Sequence, residues 1–151
     1  MKISLFLSVA SLSFVTACNP SGTPASFSAS VPTFGAINPK VTQANIDSTV
    51  CVKGYTHTIR PSVNYTESLK KKQVSKLADK VLNHYEEDHF IPLEIGGNPT
   101  SERNLWPEPI ADAHMKDKIE NSYRSKVCSH AISLANAQAY FVNTYSKYVT
   151  H

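Results

Sequence analysis

Acid is missing from the first 46 residues, Asp47 being the first carboxylate of the chain. Charge of either sign is absent from residues 19 to 39. The apolar run near the N-terminus, from Ile3 to Ala10, is too short for a stable bilayer span, which needs about 20 residues. Cysteine is scarce: three in 151 residues are too few for a miniprotein built on disulfides, and their odd number asks for a separate role for one of them. Neither a Cys-x-x-Cys pair nor an internal repeat is present. A strong excess of one charge sign is lacking too. Fifteen Lys and Arg against 12 Asp and Glu give a net charge of +3, which permits a polyanionic partner without demanding one. With 41% hydrophobic and 18% charged residues, the chain has enough for one domain with a modest core. Collagen-like, low-complexity and wholly disordered chains are excluded by that composition.

The N-terminus has the form of a secretory signal, with Lys2 ahead of the apolar run. It ends in Val15-Thr16-Ala17-Cys18, which resembles a bacterial lipobox. The resemblance implies lipidation of Cys18 and removal of residues 1–17. Cleavage there would leave 134 residues and a side-chain balance of +2, since Lys2 goes with the leader. Several acyl chains hold a soluble domain firmly at a membrane where one is marginal. The expected location is the bacterial cell envelope, the outer membrane or periplasm before the inner membrane, or secretion if the lipobox is not processed. Two cysteines then remain, Cys51 and Cys128, and in an oxidising compartment such a lone pair usually forms one disulfide.

Residues 18–40 read as the lipidated cysteine and a flexible linker rich in Ser, Ala, Pro and Gly, so the folded domain is expected over 41–151. Thr42 is placed to cap a short helical turn. Val50 to Ile59 reads as extended or turn structure around Gly54. A helix is expected from Thr66-Glu67 to about Asn83, with Leu69, Val74, Leu77 and Val81 on one face. Met115, Ile119, Tyr123 and Val127 mark a second helix. Ser133 would cap a third, with Leu134, Ala137, Phe141, Tyr145 and Tyr148 as its buried stripe.

Between the first two helices lies the segment with the chemistry. Asp88-His89 sets a hard oxygen ligand beside a nitrogen base, and adjacent strand residues point to opposite faces, so the two take separate jobs. Ile91, Leu93 and Ile95 follow in alternation, and Gly96-Gly97-Asn98-Pro99 turns the chain. Asn104 comes fifteen residues after His89, and His114 ten after Asn104.

Asp88-His89-Phe-Ile-Pro-Leu-Glu-Ile-Gly-Gly with Asn104-Leu105 resembles the core of the HNH nuclease family. The ending Asn104-Leu-Trp-Pro-Glu-Pro109 and the earlier Gly54-Tyr-Thr-His-Thr-Ile-Arg-Pro61 are similar to small secreted bacterial HNH-like proteins. The resemblance implies an α+β fold, a mostly helical domain around a small ββα-metal hairpin–helix unit. It implies Asp88 and His114 as ligands of a divalent metal, Mg²⁺ first, with Asp112 and Asp117 as competitors for the second position. His89 would be the general base, and Asn104 would hold its imidazole in register. Arg103 would clamp a phosphate. The zinc-bracing cysteine pairs of such nucleases are absent, so a Cys51–Cys128 bridge would stand in for them.

Phosphodiester hydrolysis suits these residue types, because it needs a base near neutral pKa and a cation at the developing charge. The implied activity is a metal-dependent endonuclease outside the cytoplasm with little sequence preference. Its partner would be nucleic acid, DNA first, with the membrane engaged through the lipid only and no protein partner. The competing expectation is a non-enzymatic envelope lipoprotein that uses a degenerate ββα scaffold as a binding module.

Overall fold

The structure is a computed structural model that describes residues 34–148. Cys18, its lipobox and the leader lie outside the described residues. The element order is a 3-10 turn Gln43–Ser48, α1 (Tyr55–Ile59), α2 (Val63–Val74), a 3-10 turn Leu82–His84, β1 (Tyr85–His89), a 3-10 turn Leu93–Ile95, β2 (Leu105–Pro109), α3 (Ile110–Cys128), α4 (Leu134–Tyr145) and a last 3-10 turn Ser146–Tyr148. The strands form one antiparallel pair, so the domain is of mixed α+β class. Among the described residues, no helix is long and apolar enough to cross a membrane.

Local chemistry explains most of these elements. Thr42 precedes the first turn, and its backbone N–H donates to Asn45 Oδ1 (2.8 Å), which fixes the entry. Ser133 Oγ accepts from the Asn136 N–H at 3.2 Å and opens α4, with Leu134, Ala137, Phe141 and Tyr145 buried as one stripe. Tyr148 is 46% exposed and does not join that stripe.

Two helices differ from expectation. Ser62, not a residue near Thr66, caps α2 by accepting from Tyr65 N–H, and the Thr66 hydroxyl bonds back to Val63 C=O inside the helix. The same helix stops at Val74, well before Asn83. There the N–H groups of Lys76 and Leu77 switch to 3-10 bonds with Gln73 and Val74, and Asp79 Oδ1 then takes the Val81 N–H into a new turn. The segment expected to be extended or turn, Val50 to Ile59, is turn as far as Gly54 and then carries α1. Gly54, at φ +85°, accepts the left-handed conformation that starts it.

The core joins Val41, Ile46 and Val50 to Phe90, Ile91 and Ile95, and closes on Val127 of α3 and Phe141 of α4. Trp106 packs edge-on against Phe90 (5.9 Å between ring centroids) and near Tyr148 (6.4 Å), so it is a packing residue. The docked chain reaches back beyond Val41. Gly35 N–H donates to Arg103 C=O, Asn38 N–H to Gly96 C=O, and Ile37 bridges Gly97. Residues from Phe34 onward therefore belong to the folded body rather than to the linker.

Cys51 and Cys128 form a disulfide across 77 residues of sequence, tying the turn before α1 to the end of α3. Arg124 reinforces this joint by donating to Val50 C=O (2.9 Å) and Cys51 C=O (3.3 Å). Loop-closure entropy gives a bridge of that span about 4 kcal/mol. Native protein is therefore expected to show no free thiol at these positions, and Cys51→Ala with Cys128→Ala to lose stability on that scale in urea melts. Two titratable thiols in envelope-purified protein would contradict the bridge.

Candidate functional site

The Gly-Gly turn and Asn104 build the frame. Gly97 lies where a Cβ would fall 1.8 Å from Ile91 C=O and 2.7 Å from Asn104 Nδ2, so only glycine fits. Asn104 is fully buried and clamps both arms of the loop that leaves β1. Its Oδ1 accepts from Ile91 N–H (2.9 Å), while its Nδ2 donates to Ile91 C=O (2.9 Å) and Asn98 C=O (3.0 Å). Gly97→Ala is expected to cost about 3 kcal/mol, the upper end of overpacking, because the obstacle is backbone and cannot rotate away. A urea midpoint unchanged by this substitution would refute the close approach.

Pairing in register sets Glu86 opposite Glu108, Asp88 opposite Trp106, and His89 opposite Leu105. The period of two along each strand then divides the hairpin. Glu86, Asp88 and Glu108 share the face toward α3, and Glu87 and His89 share the face toward α2 and the Pro99 loop. Asp88 and His89 thus stand back to back.

His89 is buried at 4% exposure, and its Nε2 lies 3.0 Å from Pro99 C=O. A carbonyl only accepts, so Nε2 carries the proton and Nδ1 keeps the lone pair. Burial pushes the imidazole pKa below its ordinary 6.5, and the positive charges of Arg60 and Lys116 add to that. The Pro99 carbonyl and the Asp88 charge oppose it without reversing it. The side chain is therefore neutral at pH 7. Its orientation comes from Pro99, and the amide of Asn104 acts one step away through Asn98. That corrects the direct Asn104–imidazole contact expected from the sequence.

On the opposite face the central group is a lysine. Lys116 of α3 is fully buried, with its Nζ bonded to Asp88 Oδ2 and Glu120 Oε1, 3.0 Å from His89 C=O and 3.7 Å from Glu108 Oε2. The Tyr145 ring closes it off, its centroid 6.0 Å from Nζ. Burial alone would discharge this lysine; the charges of Asp88, Glu120 and Glu108 reverse that and keep it cationic. Burial would likewise raise Asp88, but Lys116 holds its carboxyl below the usual range. Glu108 has no strong donor of its own. Burial and the neighbouring Asp88 push it up to about 9, and neither of its oxygens accepts a hydrogen bond. Burial also lifts Glu120, to about 7, and Glu87 across the hairpin, to about 8.

The raised pKa of Glu108 gives a signed prediction. Folded protein keeps this proton to about 9, whereas the unfolded chain releases it near 4.5, so stability is fully present below 4.5 and lost as pH rises toward 9. Glu108→Gln keeps the shape and removes the penalty. It is expected to raise the urea midpoint at pH 8 and leave it unchanged at pH 4, the gain growing by at most roughly 1.4 kcal/mol per pH unit. Equal midpoint changes at both pH values would show that Glu108 is ionised in the fold.

Of the expected metal pair, Asp88 is bonded to the Lys116 ammonium, and His114 lies on α3 close enough for its charge to bear on the Glu86 carboxyl. Among the described residues, the one set of three or more candidate ligands within 4.8 Å of one another is Glu86, Asp88 and Glu108. His114 is exposed and outside it, two residues and so roughly 200° around the helix from Lys116. Asp112 and Asp117 are also exposed on α3 and outside that set. The Lys116 ammonium already lies against the ligand atoms of Asp88. Arg103 sits at the surface just before β2, its backbone C=O taking the Gly35 N–H.

Lys116, Glu108 and Pro99 were not foreseen from the sequence. The alternation Glu86-x-Asp88 with Glu108 was a readable sign of an acidic hairpin face. Lys116 and Glu120, four apart, were a readable helical pair. Nothing local marked Pro99, whose carbonyl acts only through the fold. The chain matches no family model, no curated protein and no solved structure.

Proposed function

We propose that this domain hydrolyses phosphodiester bonds of nucleic acid, with His89 as general base. One observation carries the reading: a neutral imidazole at the end of β1, its tautomer set by Pro99 C=O and its free lone pair on Nδ1, within electrostatic reach of Arg60. Neutrality at pH 7 is what proton abstraction from water requires. Arg60, exposed at the end of α1, supplies a guanidinium for the phosphate charge, in place of Arg103. Asn104 and Gly97 keep the Pro99 carbonyl in place.

The resemblance to HNH nucleases supports the same reaction class, and the succession β1, β2, α3 follows the order of a ββα unit. Lipidation of Cys18 would place the reaction at a membrane surface of the envelope. With so small a net charge, the substrate would be cut with little sequence preference, DNA first.

A second reading is favoured by the burial of His89 at 4% exposure. A scaffold with a closed imidazole suits a non-enzymatic binding module. Incubating the full chain with plasmid, single-stranded DNA and RNA, with Mg²⁺ and with chelator, separates the two. Cleavage of any of these substrates supports the hydrolase. Binding to nucleic acid or to another envelope component with no cleavage across these conditions supports the module.

A further inference from the structure

We infer that Lys116 is a built-in cation: its ammonium, held by Asp88, Glu120 and Glu108, takes the place beside the converging carboxylates of Glu86, Asp88 and Glu108 where a hard divalent ion would otherwise bind. This goes beyond the proposed reaction and stands or falls independently of it.

The geometry is that of a cation site. Glu86, Asp88 and Glu108 bring carboxylate oxygens within 4.8 Å of one another, the donor chemistry preferred by Mg²⁺, Mn²⁺ or Ca²⁺. Glu108 is fully buried in it, with one oxygen 3.7 Å from the Lys116 ammonium. The cation present is Lys116 Nζ, fully buried on α3. It reaches Asp88 and Glu120 directly, His89 C=O at 3.0 Å and Glu108 at 3.7 Å. An ammonium has three N–H donors, and Asp88, Glu120 and the His89 carbonyl take all three.

Mass and charge then decide occupancy. A divalent ion would have to displace a tethered ammonium whose effective concentration is set by its own helix, and would leave that ammonium buried beside it. A buried like-charge pair of this kind is strongly unfavourable. Removing the amine reverses the balance: the carboxylates are left without a counter-charge, and a divalent ion in solution becomes their best partner.

The test is metal binding, not cleavage, so it can fail without touching the hydrolase reading, and the reverse. The full chain in detergent is titrated with Mn²⁺ alone to about 1 mM, a range that detects binding stronger than about −4 kcal/mol. Free Mn²⁺ is read by electron paramagnetic resonance, and melting is followed with Mn²⁺ and with chelator. Wild type is expected to bind no stoichiometric Mn²⁺ at the cluster and to melt at the same temperature in both conditions. Lys116→Met, which keeps the stem and drops the charge, is expected to bind one equivalent and to melt higher with Mn²⁺ than with chelator. One equivalent bound by wild type and lost in Asp88→Asn would overturn the inference. So would a folded Lys116→Met that gains no Mn²⁺. Should that variant fold only when Mn²⁺ is added, the metal has taken the place of the amine, as inferred. Should it fail to fold at all, the wild-type titration with its Asp88→Asn control decides alone.

Discussion

Replacing His89 by alanine is expected to slow cleavage by roughly 10²–10⁴, the usual cost of losing a general base, while the protein stays folded. The loss should fall on kcat, because a general base moves a proton and does not hold the substrate. Burial creates a side effect that must be separated from this. The imidazole packs under the Pro99 loop, so His89→Ala leaves a small cavity and one carbonyl without its donor. Asn104→Ala serves as the comparison. It disturbs the same loop by removing its bonds to Ile91 and Asn98 but leaves the imidazole, so it should reduce stability more and the rate less. Equal rate losses in the two variants would assign the effect to the loop and remove His89 from the chemistry.

The largest stability effect is expected at Lys116. Lys116→Ala leaves the half-buried Asp88 and Glu120 together without the charge that holds both, and breaking a buried pair from one side typically costs about 3–5 kcal/mol. The cost should shrink at acid pH. Asp88 and Glu120 take up protons in the variant, and the uncompensated charge disappears. A urea midpoint that drops sharply at pH 7.5 and recovers in part near pH 5 is the expected pattern. A drop independent of pH would mean that the lysine matters through its four-carbon stem.

The same residue shows where sequence reasoning stops. The repeat Met115, Ile119, Tyr123, Val127 marks a helix, and α3 is there, but Met115 is 69% exposed and the buried positions of its first turns are Ala113 and Lys116. Periodicity assigns faces by hydropathy, and a charged residue enters the inside only when other elements bring its partners. Asp88 and Glu108 come from the hairpin, and that meeting is not written into α3. Elements governed by their own residues were legible: the Ser133 cap, the stripe Leu134, Ala137, Phe141, Tyr145, the Gly-Gly turn and the disulfide. Where two capping residues competed, as Ser62 and Thr66 did for α2, the earlier one won, since its hydroxyl meets a free N–H while that of Thr66 is already inside the helix. Of the candidate site, the residue types and the split between Asp88 and His89 were legible, and the partners that each meets in the fold were not. Alternation along β1 gives Asp88 and His89 opposite faces, as the sequence implies, but the neighbours on each face, Lys116 and Pro99, come from elsewhere in the chain.

The central claim, that His89 abstracts a proton during phosphodiester cleavage, meets its most direct test in the pH dependence of kcat/KM. The measurement uses the full chain and a fluorophore-labelled single-stranded DNA, and compares wild type with His89→Ala. A general base at His89 predicts a rate that climbs with pH through an inflection below the ordinary histidine value of 6.5, because burial depresses this imidazole, and a profile in His89→Ala without that inflection. Cleavage with the same inflection in both proteins, or none in wild type at any pH, would contradict it.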